Sequence, residues 1–394
     1  MNKKISKIMA ILLLVICATS LSAAVPTPIE PFVSQANTPD FTEGGHLETD
    51  LNVNFLAEWW YLNGNTRLVG PEGKKKDIGF FVCMAHQESP FFKFGGDVQY
   101  SHLIVFHGIF FDDGTTDFHY NETFNVPQTD VSNYIALGTP YVDFKYPGGL
   151  NTFKGSAGPG YKVDYTHDGI VMDLFFQPNI VKTIDQADTP LNFTTYGNSY
   201  GTLSGSIILD GEKYRITQAE AYMDHMIPIG DYYLWPMYMH GWTWFEVTTE
   251  KYQAVAYAIR SLEDGYDDYT YKHLTLLNKH NGKIIAEYSG EEITITEPDD
   301  PDNWYSYEPD YWGIRKRPSN VVFSTQDLTV KIEPESVVHF DRSNDPEPFG
   351  PIGYLDFMCF QPDDAVIQYN GKIEQGSAFY EYLVSDNGTI QQTV

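Results

Sequence analysis

The segment Ile207-Ile208-Leu209-Asp210-Gly211-Glu212-Lys213-Tyr214-Arg215-Ile216 decides the fold class of this chain. One apolar run ends at Asp210-Gly211, and a second, alternating run begins at Tyr214. The dipeptide Asp-Gly favours a two-residue turn whose twist matches that of paired antiparallel strands. The segment therefore predicts a β-hairpin.

The same signal recurs along the chain. Further turn dipeptides are Asp113-Gly114, Asp168-Gly169 and Asn281-Gly282, and short apolar or alternating runs occupy residues 78–84, 100–111 and 171–176. Sustained helical spacing with end caps is nearly absent. Strands spaced about 8–12 residues apart predict an all-β protein built as a sandwich or as barrels.

The length of the chain favours two domains. Its 394 residues exceed what one hydrophobic core usually supports. A boundary is expected between residues 210 and 230, because a new series of strands opens at Gly241. We predict an N-terminal domain over residues 51–215 and a C-terminal domain over residues 216–394, preceded by an extended segment at residues 25–50.

The first 24 residues have the pattern of a cleavable signal peptide. Three lysines precede a short apolar run at residues 9–17, and the small residues Ser22 and Ala24 favour cleavage after Ala24. A lipoprotein signal at Cys17 is the alternative, although bulky Ile16 precedes that cysteine. The pattern predicts a secreted or cell-envelope protein. No later run is long enough to predict a membrane span in the mature chain.

Charge and cysteine content limit the possible partners. The formal net charge of −28 disfavours contact with phosphate backbones, so we expect no nucleic acid partner. Cys83 and Cys359 could form a disulfide or remain as two buried thiols. Neither cysteine belongs to a CxxC pair and no histidine spacing such as HExxH is present, so the sequence predicts no metal site and no cofactor. The alternating oxygen donors Asp341, Ser343, Asp345 and Glu347 give only a weak indication of calcium, because the glycine of a calcium loop is missing.

The first candidate site is Glu58-Trp59-Trp60-Tyr61. In a strand Glu58 and Trp60 share one face, and Trp59 and Tyr61 share the other. A carboxylate beside aromatic rings on an inward face would lose water, and its pKa would rise. The alternative is an aromatic core pair with a surface glutamate.

The second candidate is Tyr222-Met223-Asp224-His225. In a strand Tyr222 and Asp224 share a face, and His225 points to the opposite one. Aspartate is unfavourable inside strands, so its presence suggests a role. A strand-end cap or a structural Asp–His pair would explain it equally well.

Two further strands carry candidate residues. Trp242 and Trp244 share one face of Gly241-Trp242-Thr243-Trp244, and they suit either a flat apolar ligand or a plain core. His102, in Tyr100-Ser101-His102, begins an apolar strand, where a structural histidine is the alternative to a functional one.

Taken together, these motifs resemble the AttH-like family, which includes carotenoid 1,2-hydratase (hydroxyneurosporene synthase). The resemblance rests on residues 58–61, on Ala221 to His225 and on residues 241–244, with weaker support from residues 100–102 and from residues 376–381, which contain Glu381. It implies two tandem lipocalin-like antiparallel β-barrel domains. Family members hydrate isoprenoid double bonds or catalyse cyclisations.

The resemblance leads to a mechanistic hypothesis for an apolar, isoprenoid-like or lipid-like substrate. Asp224 would protonate a C=C bond with Tyr222 as its hydrogen-bonded neighbour, and His102 or His225 would orient water. Trp60, Trp242 and Trp244 would stabilise the cation, while Glu58, Trp59, Tyr61 and Glu381 would complete the ligand site. The alternatives are a non-catalytic binder of a hydrophobic ligand and a secreted hydrolase.

Overall fold

A computed structural model describes most of the predicted β-rich region. The described residues are 43–47, 55–93, 98–111, 118–186, 193–230, 239–261, 269–298, 304–307, 315–341 and 354–385. The predicted signal peptide, residues 1–24, lies outside them. Across these described segments, no helix combines the length and the apolar character needed to cross a membrane.

Ten antiparallel strands form the first sheet. In chain order they are β1 (Phe55–Val69), β2 (Lys75–Lys93), β3 (Gln99–Phe111), β4 (Phe118–Pro127), β5 (Val142–Lys145), β6 (Thr152–Ser156), β7 (Gly160–His167), β8 (Ile170–Gln186), β9 (Phe193–Leu209) and β10 (Glu212–Gly230). Their spatial order is β4-β3-β2-β1-β10-β9-β8-β7-β6-β5. The last strand of the sheet therefore pairs with the first.

The second sheet begins after residue 238. Its first five strands are β11 (Met239–Thr249), β12 (Tyr252–Ser261), β13 (Tyr269–Asn278), β14 (Lys283–Ser289) and β15 (Thr294–Thr296). The next two strands, β16 (Trp304–Tyr307) and β17 (Arg315–Pro318), form a separate two-stranded sheet. The second sheet then continues with β18 (Val321–Ser324), β19 (Leu328–Ile332), β20 (Ser336–Asp341), β21 (Tyr354–Tyr369) and β22 (Lys372–Ser385). Short 3-10 helices lie at Pro71–Gly73, Gln128–Asn133 and Gly290–Glu292.

The two sheets share one connectivity. Each opens with a four-strand meander, and in each the first strand also pairs with the last, β1 with β10 and β11 with β22. The chain is thus all-β with two tandem lipocalin-like antiparallel sheets, which confirms the predicted fold class. The expected boundary at residue 216 lies inside β10, because all the described pairing of that strand is with β1 and β9; the change of sheet comes between Gly230 and Met239.

The turn dipeptides connect strands as predicted. Asp168 and Gly169 join β7 to β8, and Asp210 and Gly211 join β9 to β10; all four have positive φ, which fits the turn type that Asp-Gly favours. Asn370-Gly371 makes an equivalent turn between β21 and β22. Asp113-Gly114 lies outside the described residues.

Three apolar clusters hold the fold together. One fills the first sheet and draws on strands from β1 to β10, including edge residues such as Val126 and Phe144, so this sheet curls around its own core. A second fills the other sheet. The third joins outward faces of both sheets and includes Tyr61, Tyr222 and Trp244. Cys83 and Cys359 are both buried and are not joined in a disulfide bond.

Candidate functional site

Strands β1 and β10 carry both central motifs and lie side by side. Their register places Trp60 opposite His225 and Tyr61 opposite Asp224. Because neighbouring residues of a strand point to opposite faces, the motifs are divided between two sites that lie back to back. One site lies inside the curl of the first sheet, and the other lies between the sheets.

The site between the sheets is centred on Asp224. We call it the interface cluster, and it comprises Trp59, Tyr61, Tyr222, Asp224 and Trp244. The side chain of Asp224 is buried, with a residue exposure of 4%. The indole N–H of Trp59 donates to its Oδ1 at 3.1 Å, and the Tyr222 hydroxyl donates to its Oδ2 at 3.1 Å. Both oxygens of the carboxyl group thus accept a fixed donor.

Aromatic rings from both sheets surround this carboxyl group. The Tyr222 and Trp244 ring centroids are 5.2 Å apart, and Tyr61 meets Trp244 edge-on at 6.0 Å. Phe379 of β22 packs against Tyr61 with centroids 6.2 Å apart. The predicted shared face of Trp242 and Trp244 is also observed, since both contact this third apolar cluster.

The second sheet repeats the tryptophan–carboxyl pair. Trp242 of β11 donates its indole N–H to Glu381 Oε1 of β22 at 3.0 Å. These strands occupy the same positions in their sheet as β1 and β10 in the first. Each half of the protein therefore turns one tryptophan–carboxyl pair toward the face between the sheets.

His102 lies on β3, on the same strand face as Ile104 and Phe106. Its Nδ1 is 2.6 Å from Asn125 Oδ1. Burial lowers the pKa of His102 to about 4, and the nearby His86 contributes to the decrease. The imidazole is therefore neutral at ordinary pH.

The site inside the first sheet is centred on Glu58. We call it the interior cluster, and it comprises His46, Glu58, His86, Glu88 and His225. Glu58 is fully buried. Its Oε1 accepts the backbone N–H of His46 at 2.8 Å and lies 3.0 Å from His86 Nδ1. Its Oε2 lies 3.0 Å from His46 Nδ1 and 3.5 Å from His225 Nε2.

The surrounding imidazoles keep Glu58 ionised. Burial alone would raise its pKa, but interactions with His225, His46 and His86 hold the pKa well below the usual value for glutamate. A buried carboxylate anion therefore sits at the inner end of the segment 43–47.

His86 bridges two buried carboxylates. Its second nitrogen, Nε2, lies 3.2 Å from Glu88 Oε1. Burial disfavours the charged imidazolium, yet contacts with Glu58 and Glu88 raise the pKa of His86 to about 9. Glu88 also accepts hydrogen bonds from Ser101 at 2.6 Å and Gln128 at 3.1 Å. Because all three neighbours act as donors, Glu88 acts as an ionised acceptor.

His225 differs from His86 in charge. Its ring stacks on Trp60 with centroids 4.6 Å apart and an interplanar angle of 22°. Burial lowers the pKa of His225 although Glu58 is close, so the ring is neutral and one ring nitrogen carries a lone pair. A neutral imidazole is the form that binds metal ions.

The structure thus separates residues that the sequence hypothesis combined. Glu58 and His225 lie in the interior cluster and Trp60 stacks against it, so all three are on the face opposite to Asp224. Because His225 and Trp60 point away from Asp224, neither is placed to orient water or stabilise a cation at that carboxyl group.

Sequence reasoning missed His46, His86 and Glu88, and it predicted no metal site. His46, Glu58 and His225 bring potential ligand atoms within 4.8 Å of one another, a set that could hold a metal ion. No local spacing motif indicates this set, because His46 comes from the segment before β1, Glu58 from β1 and His225 from β10. In the sequence, the signal for an inward carboxylate was the strand alternation that places Glu58 on the same face as Trp60.

Comparison with known proteins identifies the fold. No family model and no curated sequence matches the chain. A protein of Nitrosomonas europaea named as an AttH candidate matches at 14% identity with a TM-score of 0.58, over 89% of this chain and 98% of that one. Kievitone hydratase from Nectria haematococca matches at 12% identity with a TM-score of 0.52, over 92% and 94%.

A third solved structure, CghA, is 13% identical with a TM-score of 0.53, over 85% of this chain and 89% of that one. Identities this low carry information on the fold rather than on the reaction. The sequence resemblance is confirmed at that level: the chain has the two-sheet, lipocalin-like fold of the AttH-like and hydratase structures.

Proposed function

We propose that this protein adds water to a C=C bond of an apolar, isoprenoid-like or lipid-like small molecule at the face between the two sheets. The observation that carries the proposal is the position of Asp224. Its carboxyl group is removed from water, is held by Trp59 and Tyr222, and is surrounded by aromatic rings. We place this activity outside the cytoplasm, following the signal pattern in residues 1–24.

The chemistry follows from this environment. Removal from water disfavours the charged form of a carboxyl group and opposes the two hydrogen bonds that favour it, and in this proposal the effect of burial prevails, so that Asp224 carries the proton that an electron-rich alkene requires. Proton transfer to one alkene carbon leaves a cation on the other, and water adds to that cation. The proton lost by the bound water then returns to Asp224, and the acid is regenerated.

Trp59 and Tyr222 assist the step in which charge develops. When Asp224 gives up its proton, both donors already point at its oxygens, and they stabilise the carboxylate without reorganising. Tyr61, which is in register with Asp224, and Trp244, which packs on Tyr222, are the rings that would favour a nearby carbocation, by about 0.5–2 kcal/mol each. We assign His102 no role in this step, because it lies three strands from Asp224 and four positions along β3 from Phe106, the residue level with Asp224.

The fold comparison supports this choice of reaction. Kievitone hydratase, whose name states a hydration activity, shares the two-sheet fold at a TM-score of 0.52. The support is an analogy of fold, and the site argument rests on the residues of this chain.

The experiment is hydration in ¹⁸O-labelled water. Purified protein is incubated with a panel of prenylated and polyunsaturated isoprenoid compounds, and products are examined by mass spectrometry for one incorporated ¹⁸O atom. We expect Asp224→Asn to abolish incorporation and Tyr222→Phe to reduce it by about 10²-fold, as loss of a preorganised donor does. Asp173→Asn, which removes an exposed carboxylate, is the matched control.

Two results would contradict the proposal. One is undiminished ¹⁸O incorporation by a folded Asp224→Asn variant. The other is loss of incorporation in Glu381→Gln while Asp224→Asn remains active, because the acid would then belong to the second tryptophan–carboxyl pair.

A second candidate function is binding of an apolar ligand without turnover. The aromatic rings that both sheets contribute between them favour it. Binding measured by tryptophan fluorescence distinguishes the two: a binder retains affinity in Asp224→Asn and yields no labelled product with wild-type protein.

A further inference from the structure

The interior cluster contains a carboxylate whose two oxygens have different surroundings. Oε1 of Glu58 accepts the His46 backbone N–H at 2.8 Å and lies 3.0 Å from His86 Nδ1, so it is held by two contacts. Oε2 lies 3.0 Å from His46 Nδ1 and 3.5 Å from His225 Nε2. One oxygen is therefore anchored, and the other points toward two potential ligands.

The geometry points to a metal site: we propose that His46 Nδ1, His225 Nε2 and Glu58 Oε2 bind one divalent transition-metal ion of the zinc type. Bonds of about 2.0–2.1 Å at tetrahedral angles place ligand atoms about 3.3 Å apart. The distances from Oε2 to His46 Nδ1, 3.0 Å, and to His225 Nε2, 3.5 Å, lie on either side of this value. All three atoms lie within 4.8 Å of one another, so a small adjustment closes the set.

The donor types select the class of ion. Two imidazole nitrogens with one carboxylate oxygen suit zinc and its neighbours in the first transition row, whereas calcium and magnesium prefer oxygen ligands. Three protein ligands also leave a fourth position for water or another small ligand.

Two neighbours hold the ligands in place. His86 fixes Glu58 through Oε1 and is itself fixed by Glu88. Trp60 stacks on His225 and sets the plane of its ring. Such supporting contacts orient the ligands of metal sites in proteins, and their loss typically weakens binding by about 10- to 100-fold.

The site is distinct from the proposed hydration site, since the two lie on opposite faces of β1 and β10. Its closest structural alternative is a hydrogen-bonded lock that fastens residues 43–47 to the first sheet. A lock of this kind would need no ion.

The test uses the untagged full chain, stripped of metal with a chelator and then titrated with zinc against a chromophoric competitor. We expect one equivalent to bind with submicromolar affinity and the melting temperature to rise. Cobalt(II) added in place of zinc should give the intense visible absorption of a tetrahedral site. Calcium and magnesium at the same concentrations should produce neither change.

The variants distinguish a set of metal ligands from a hydrogen-bonded lock that needs no ion. His46→Ala removes a ligand from the edge of the cluster and should weaken zinc binding by about 100-fold or more, while His86→Gln should weaken it by about 10- to 100-fold. His280→Ala, which removes an exposed histidine of the second sheet, should leave affinity unchanged. Asp224→Asn should also bind zinc normally, which keeps this test independent of the hydration proposal.

Because Glu58→Gln alters a buried network and can prevent folding, His46→Ala is the decisive variant. Absence of zinc binding by wild-type protein overturns the proposal. Equal zinc affinity of wild type and His46→Ala also overturns it, since the ion would then be held elsewhere.

Discussion

The indole N–H of Trp59 donates to Oδ1 of Asp224 across 3.1 Å, joining two residues that are 165 positions apart in the chain. Trp59 lies in β1, the first strand of its sheet, and Asp224 lies in β10, the last. The bond thus links the first and last strands of the sheet in chain order, which are neighbours in its middle, and it turns a carboxyl group toward the second sheet. Trp242 and Glu381 repeat the relationship in the other half.

The first prediction concerns this bond. Trp59→Phe keeps an aromatic ring but removes the N–H donor, and we expect it to lower the free energy of unfolding by about 1–3 kcal/mol. Urea denaturation measures the loss. In a double-mutant cycle, Trp59→Phe and Asp224→Asn should be coupled, whereas Trp242→Phe should couple to Glu381→Gln instead. Additive effects of Trp59→Phe and Asp224→Asn would contradict the proposed pairing.

The second prediction compares a buried ion pair with an exposed one. Glu88→Leu leaves the buried His86 imidazolium with one carboxylate fewer and Ser101 without its acceptor, so we expect a loss of about 3–5 kcal/mol in metal-free protein. Asp77→Ala, which breaks the exposed Arg67–Asp77 pair, should cost about 0–1 kcal/mol. Chemical denaturation of both variants tests the contrast, and equal costs would argue against an ionised Glu88.

Local chemistry explains which parts of the fold were predictable. A two-residue turn at Asp210-Gly211 depends only on those residues and the strands beside them, so the hairpin could be predicted directly. The opposite orientation of Asp224 and His225 followed equally from strand alternation. The boundary expected at residue 216 falls inside β10, and only long-range pairing with β1 shows that this strand completes the first sheet.

The site was harder to predict for the same reason. The stacking of Trp60 on His225 depends on the register between β1 and β10, which no local pattern encodes. His46 comes from a segment expected only to be extended, and it reaches Glu58 through the backbone contacts of Gly44 and Gly45 with residues 136–139. A ligand set assembled from such separate segments leaves no spacing motif.

The third prediction concerns packing between the sheets. A Cβ atom at Gly79 of β2 would lie 2.6 Å from Phe360 Cδ2 of β21, so Gly79→Ala should destabilise the protein by about 1–3 kcal/mol. Adding Phe360→Leu to Gly79→Ala should recover part of this loss, because the smaller side chain makes room. Gly158→Ala is the control, since a Cβ there meets nothing within 4 Å. Thermal unfolding measures all three, and a neutral Gly79→Ala would show that the sheets do not pack this closely.

The last prediction concerns pH. Burial lowers the pKa of His102 from 6.5 to about 4, so the folded protein favours the neutral ring while the unfolded chain takes up a proton below pH 6.5. The contribution of His102 is therefore present above pH 6.5, is lost as the pH falls toward 4, and changes little below that value. Between pH 7 and pH 5 we expect a loss of about 2 kcal/mol from this residue.

The measurement is urea denaturation at both pH values for wild type and His102→Gln, because the difference between the two removes the contribution of other titrating groups. His102→Gln should lose less stability on acidification than wild type, by roughly the same 2 kcal/mol. His280→Gln, which alters an exposed histidine, should follow wild type. An identical pH dependence for wild type and His102→Gln would contradict this prediction, because it would mean that the histidine is open to water in the folded protein.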